Sequence, residues 1–154
     1  MRSTVAALGL LLAAAAPLAA QDKQVIGAGP RPANAPPARL SPAIRVGNLL
    51  WVSGQLGVRP ARDSAGPGTT AEQTKRSLEN TKRLVEEAGT TMDRAVKCTV
   101  FLTNIADFQA MNEAYVTFFP KDPPTRSTVA VAALASPTAT VEIECMFAMP
   151  AGTK

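Results

Sequence analysis

From Thr140 to Phe147 the chain reads TVEIECMF, and its side chains alternate with period 2. Val141, Ile143, Cys145 and Phe147 fall on one side; Glu142, Glu144 and Met146 fall on the other. Extended backbone sorts residues in this way, so the run is a strand with one apolar face. The opposite face carries two carboxylates, which are costly to hide unless each meets a partner or a ligand. A second alternating run, Ser127–Ala132, lies just upstream across a turn-rich connection. One arginine, Arg126, stands at its mouth behind Pro123 and Pro124, whose fixed backbone lowers the entropy lost in holding a side chain still.

The remaining segments are arranged around that pair of runs. Residues 1–20 combine Arg2, an apolar Leu/Ala run and small residues ending at Ala20, the pattern of a secretory signal peptide cleaved after Ala20. Residues 21–39 hold Pro30, Pro32, Pro36 and Pro37 and read as an extended arm, disordered or laid on a surface. Ile44–Gln55 is a hairpin turning at Gly47-Asn48, and it ends in Ser53-Gly54. Gly54 permits a bend or the close approach of another group. After a loop over 57–68, Thr69 and Glu72 form a capping-box pattern that opens a helix over 71–88. Its inner face is Thr74, Leu78, Thr81, Leu84, Val85 and Ala88, and Gly89 stops it. Ala95–Thr103 is a strand. A second helix, capped by Asn104 or Asp107, is expected to run through Phe119, with Phe108, Met111, Tyr115 and Phe118 at core spacing. Asn112 lies beside that core edge, placed either to tie down the helix or to reach a pocket.

The order is therefore hairpin, helix, strand, helix, strand, strand. It predicts an α/β (α+β) domain over residues 40–150, with one mixed β-sheet and two helices on one face. Each helix joins strands that lie parallel, and the last two runs are expected to pair antiparallel. The uncovered face, bearing Glu142, Glu144, Met146, Thr99 and Phe101, is more readily explained by self-association than by solvent.

Composition narrows the chemistry. The chain has no histidine, which removes the usual proton shuttle, the Ser-His and Cys-His arrangements and the commonest metal ligand. Its net charge of +4 is scattered, with no basic stripe and few aromatics to stack bases, so nucleic acid is not indicated. No stretch beyond the signal reaches transmembrane length. Cys98 and Cys145 both fall on core-facing positions of strands. They are either one disulfide or two small buried hydrophobes, and two thiols alone make no zinc site.

Read in order, NLLWVSGQLG, EQTKRSLENTKRLVEEAG, DFQAMNEAYVTFFP, PPTRSTVAVAAL and VEIE match the spacing of the RidA/YjgF family, the reactive imine/enamine deaminases, which the chain resembles from Leu40 to Met149. The resemblance implies a chorismate mutase-like fold assembled as a homotrimer with clefts between subunits. It implies hydrolysis of 2-imino acids such as 2-iminopropanoate and 2-iminobutanoate to 2-oxo acids and ammonia, with no cofactor. Arg126 matches the family's carboxylate-binding arginine and Glu142 its acidic residue, which positions a water or carries its proton. Glu144 is the rival acid, expected to meet a positive charge across an interface. Ser53, Gly54 and Asn112 match cleft positions, and Thr128 stands where the family often has cysteine, with backbone groups nearby to hold carboxylate or water. In one respect the chain departs from the family: Pro42 is followed by Ala43, where the deaminase archetype has a tyrosine.

Three functions follow as expectations. The first is an exported imine deaminase, periplasmic or secreted. The second is a non-catalytic trimer that binds small carboxylates through Arg126. The third is a chaperone-like member of the same family.

Overall fold

The computed structural model describes residues 22–60 and 63–152; the signal-peptide reading of residues 1–20 lies outside them. Six strands form one sheet: β1 (Lys23–Ile26), β2 (Ala43–Val46), β3 (Leu49–Leu56), β4 (Ala95–Leu102), β5 (Thr125–Ala130) and β6 (Val141–Ala148). Two helices, α1 (Thr70–Glu87) and α2 (Phe108–Val116), complete the mixed α+β fold. Among the described residues no helix is long and apolar enough to cross a membrane.

The spatial order is β1-β2-β3-β6-β4-β5. All neighbours are antiparallel except β4 and β5, which run parallel. The expectation that the last two runs pair with each other is therefore wrong. β6 instead slots between β3 and β4, and β5 lies on the edge beyond β4. Burial gives the physical reason. Val141, Ile143, Cys145 and Phe147 are all at most 2% exposed, and a strand with so unbroken an apolar face gains most from two flanking strands. Val129 of β5 is by contrast 44% exposed, which suits an edge. Each helix still joins parallel strands: β3 and β4 both run opposite to the β6 between them, and β4 pairs directly in parallel with β5.

The first strand is a further addition. Part of the proline-rich arm, Lys23–Ile26, pairs antiparallel with β2, and Ile26 enters the core. Prolines cannot supply a ladder of N–H donors, so pairing is confined to the proline-free start of the arm.

Helix α1 follows its pattern closely. Thr69 caps it through its side chain while Glu72 returns a bond to the Thr69 backbone, so two orphan N–H groups are satisfied. That backbone bond holds the exposed Glu72 carboxyl below its ordinary range. Leu78, Leu84 and Val85 are fully buried against the sheet, each stabilising by roughly 1.5–3 kcal/mol. Ser77 and Asn80 donate to the carbonyls of Gln55 and Leu56, at 2.5 and 3.3 Å, where β3 leaves its ladder through a bulge after Val52. At Gly57 a side chain would overlap the backbone carbonyl of Gln73, so only glycine lets strand and helix approach this closely.

Helix α2 ends earlier than its apolar spacing suggests, at Val116 and not Phe119. Phe118 and Phe119 continue only as a tight turn, donating to the carbonyls of Tyr115 and Val116. Pro120 explains the stop: it lacks an N–H and forces the preceding residue out of helical geometry. Phe119 consequently takes the buried place expected of Phe118, and Phe108 remains 39% exposed at the start of the helix.

Cys98 and Cys145 are Cα register partners on β4 and β6, both buried, and they form a disulfide. The open alternative is thus settled by strand order, which brings the two Cα atoms to 4.1 Å.

Candidate active site

Arg126 lies on β5 in register with Cys98, so its side chain shares the helix-covered face of the sheet. It is half-buried there against α2. Its Nη2 donates to Asn112 Oδ1 at 2.9 Å. Its guanidinium carbon sits 4.6 Å from the Tyr115 ring centre and 5.7 Å from that of Phe108. Phe108, Asn112 and Tyr115 are spaced i, i+4, i+7, one stripe of α2, and all three meet the guanidinium. Among the described residues Arg126 makes no ion pair with a carboxylate. A half-buried cation held in place but not neutralised is a ready anion site, and the free edge of its planar fork suits a carboxylate. A cavity of about 350 Å³ opens beside it, lined by Asn112, Tyr115, Val116, Phe119, Pro123, Pro124 and Arg126.

Two buried hydroxyls, Tyr115 Oη and Thr128 Oγ1, have no hydrogen-bond partner among the described residues. Thr128 is in register with the buried Val100, on the same face as Arg126. Such groups are rare inside proteins because each forfeits its hydration without return. Burial also pushes the Tyr115 hydroxyl up to about 12, with the Arg126 charge pulling the other way. Tyr115 is the only tyrosine in the chain, so phenolate absorbance reports on it alone. Its midpoint is expected at about 12 in the folded protein, against 10.0 for the unperturbed group. Because the folded value lies above the unfolded one, the stability contributed by the protonated phenol is complete below pH 10 and is lost as pH rises towards 12. An Arg126→Ala protein should titrate still higher; a midpoint near 10 in the folded wild type would contradict this environment.

The second group of candidate residues lies on the uncovered face. Glu142 is in register with Phe101 of β4 and Leu56 of β3, and Glu144 with Thr99. Gly54 sits directly beneath Glu142: a Cβ at that position would overlap the carboxylate. The bulge after Val52 and the close approach are thus two aspects of one arrangement, since the bulge delivers Gly54 to Glu142. Ser53 adjoins it, donating its hydroxyl to the Ser41 carbonyl at 2.7 Å and its N–H to the Pro42 carbonyl at 3.0 Å. Among the described residues Glu142 and Glu144 make no ion pair.

The chain therefore brings Arg126 together with Asn112, and Glu142 together with Gly54, but it keeps the two pairs apart. β4 lies between their strands, so Glu142 is not on a strand adjoining Arg126 as its sequence position suggested. The register also puts the two side chains on opposite faces of the sheet. Ala43, where the archetype has a tyrosine, is 1% exposed and lies in the core in register with Ile26 and Val52. The segment that reaches Ser53 is Ser41–Pro42. Tyr115 takes the core place its spacing predicts, at 3% exposure, and its ring also meets the guanidinium; Phe108, expected in the core as well, is 39% exposed, and the signal for its contact with Arg126 is its spacing with Asn112 and Tyr115 on one helical stripe.

The family model described as endoribonuclease L-PSP matches residues 31–149 of the chain. A RutC family protein of Pyrococcus abyssi is 43% identical over 94 residues, 61% of this chain and 74% of that protein. The 2-iminobutanoate/2-iminopropanoate deaminase of Rattus norvegicus is 39% identical over 94 residues, 61% of this chain and 69% of that protein. Among solved structures, E. coli TdcF with bound serine superposes with a TM-score of 0.68 at 32% identity, covering 82% of this chain and 99% of that one.

Proposed function

Since the chain belongs to the RidA/YjgF family, we propose that it hydrolyses 2-imino acids, with their enamine tautomers, to 2-oxo acids and ammonia. The observation that carries this reading is Arg126, a clamped guanidinium without a carboxylate partner at the edge of a cavity. The similarity to a rat deaminase and to a serine-bound relative supports it.

In this reading Arg126 grips the substrate carboxylate through two parallel N–H donors while Asn112 fixes the guanidinium plane. The substrate's imine is protonated and already electrophilic, so positioning supplies most of the rate. Water attacks the imine carbon, a C–O bond forms, and the C=N π pair moves onto nitrogen. Glu142 accepts the proton that water loses and hands it to that nitrogen. Glu142, now free of its proton, takes the hydroxyl proton of the resulting carbinolamine as the C=O bond forms and the C–N bond breaks with its pair leaving on nitrogen; it then returns that proton to the departing ammonia. Ammonium and a 2-oxo acid leave, and no electron is gained or lost.

Arg126 and Glu142 act on one substrate only if they come from different subunits, because one chain holds them on opposite faces. We therefore propose a homotrimer in which the β5 edge of each subunit meets the uncovered sheet face of the next. Trp51 and Val129, 40% and 44% exposed and in register with residues of that face, are the apolar surface such contacts would bury. A lone subunit, by the same geometry, binds carboxylates without turning them over. The buried disulfide suits an oxidising compartment and supports export to the periplasm or beyond the cell.

The test is ammonia release from freshly generated 2-iminobutanoate, compared with buffer alone; equal rates would exclude this substrate class. Gly54→Ala separates the two halves of the site. Its methyl group must displace the Glu142 carboxylate, so turnover should fall by about 100-fold while carboxylate affinity stays within a few-fold of wild type. Equal turnover in the variant would remove Glu142 from the mechanism.

A further inference from the structure

The cavity beside Arg126 is larger and more apolar than a small imino acid requires. Apart from the cation and Asn112 its walls are Tyr115, Val116, Phe119, Pro123 and Pro124, and among the described residues no acidic side chain lines it. Its volume of about 350 Å³ lies in the range of sites that enclose whole organic ligands, whereas one water takes up roughly 30 Å³. Val116 is 50% exposed, a large apolar side chain left in solvent next to a half-buried charge. The wall is also rigid. Val116 closes the last turn of α2, Phe119 is buried beneath it, and the two prolines have fixed backbone angles, so a ligand finds this surface already formed.

Resting on the carboxylate-binding reading of Arg126, we propose that the site selects carboxylates bearing a large apolar side chain, isobutyl- or benzyl-sized. Its preferred substrates are then the 2-imino acids that correspond to branched and aromatic amino acids. With the carboxylate on the Arg126 fork, the side chain lies along Val116 and Pro123 and drives water from them. A methyl or hydroxymethyl side chain leaves most of that wall wet. Each methylene moved from water onto an apolar wall strengthens binding by up to about fourfold. Going from a methyl to an isobutyl group on this half-open surface should therefore give about tenfold.

The experiment is calorimetric titration of the purified protein with the product-side acids pyruvate, 2-oxobutanoate, 4-methyl-2-oxopentanoate and phenylpyruvate, which needs no catalysis. Affinity is expected to rise along the series, with 4-methyl-2-oxopentanoate bound about tenfold more tightly than pyruvate. Val116→Ser, at an exposed helix end, should cut that ratio about threefold. A flat series, or a ratio untouched by Val116→Ser, overturns the proposed selectivity while binding that depends on Arg126 still stands. Binding of every acid that survives Arg126→Ala overturns the carboxylate reading itself and this inference with it.

Discussion

Replacing Arg126 with alanine should lower the affinity of the protein for small 2-oxo acids at least 100-fold and abolish imine hydrolysis, with little change in thermal stability. The effect is large because the guanidinium is the one cation at the cavity, and charge-assisted, bidentate bonds to a carboxylate contribute more than neutral ones. Arg126→Lys keeps the charge but loses the planar fork, the bond to Asn112 in its present geometry and the guanidinium's contacts with the Phe108 and Tyr115 rings. About tenfold weaker binding is expected from lysine. Stability should change little because among the described residues Arg126 has no ion-pair partner whose charge would be stranded, and removing a half-buried cation lightens a desolvation cost. Calorimetry with 4-methyl-2-oxopentanoate, run beside thermal melts of each variant, makes the check. A stable Arg126→Ala protein that still binds the acid would show that the anion site lies elsewhere.

The second large effect is on stability. Cys98 and Cys145 are 47 residues apart in sequence, and a bridge closing such a loop removes enough freedom from the unfolded chain to stabilise the fold by about 4 kcal/mol. Cys98→Ala combined with Cys145→Ala should therefore lower the melting temperature by roughly 15 °C. Urea titration of wild type and double variant would give the free-energy difference directly. A loss below about 1 kcal/mol would mean that the unfolded chain is already constrained near this loop. The bridge also bears on function. It joins β6, which carries Glu142, to β4, which pairs with the Arg126 strand, and so it clamps the strand pair that separates the two halves of the site. Both sulfurs are buried at 0% and 2% exposure, so mild reductant should act only on molecules that have opened.

Much of this arrangement is readable from local pattern. The alternation of Val141, Ile143, Cys145 and Phe147 against Glu142, Glu144 and Met146 is a property of extended backbone, and it holds whatever strand lies alongside. Thr69 and Glu72 mark the start of α1 because cap and helix are neighbours in sequence. Arg126, Glu142, Gly54 and Asn112 stand out in the local pattern, the resemblance to a family supplies their roles, and the fold gives Arg126 a partner in Asn112 and Glu142 a close neighbour in Gly54.

Only the tertiary structure decided which strands meet. The alternating face of β6 is equally compatible with pairing to β5, its neighbour in sequence, or with insertion between β3 and β4. The choice turns on how much apolar surface two flanking strands and α1 can bury together, a sum over residues far apart in the chain. From that choice follow the register of Cys98 with Cys145 and the opposite faces of Arg126 and Glu142. A strand's own sequence says which residues share a side. It cannot say which side is shared with a residue on another strand, and for this protein that relation divides the candidate site in two.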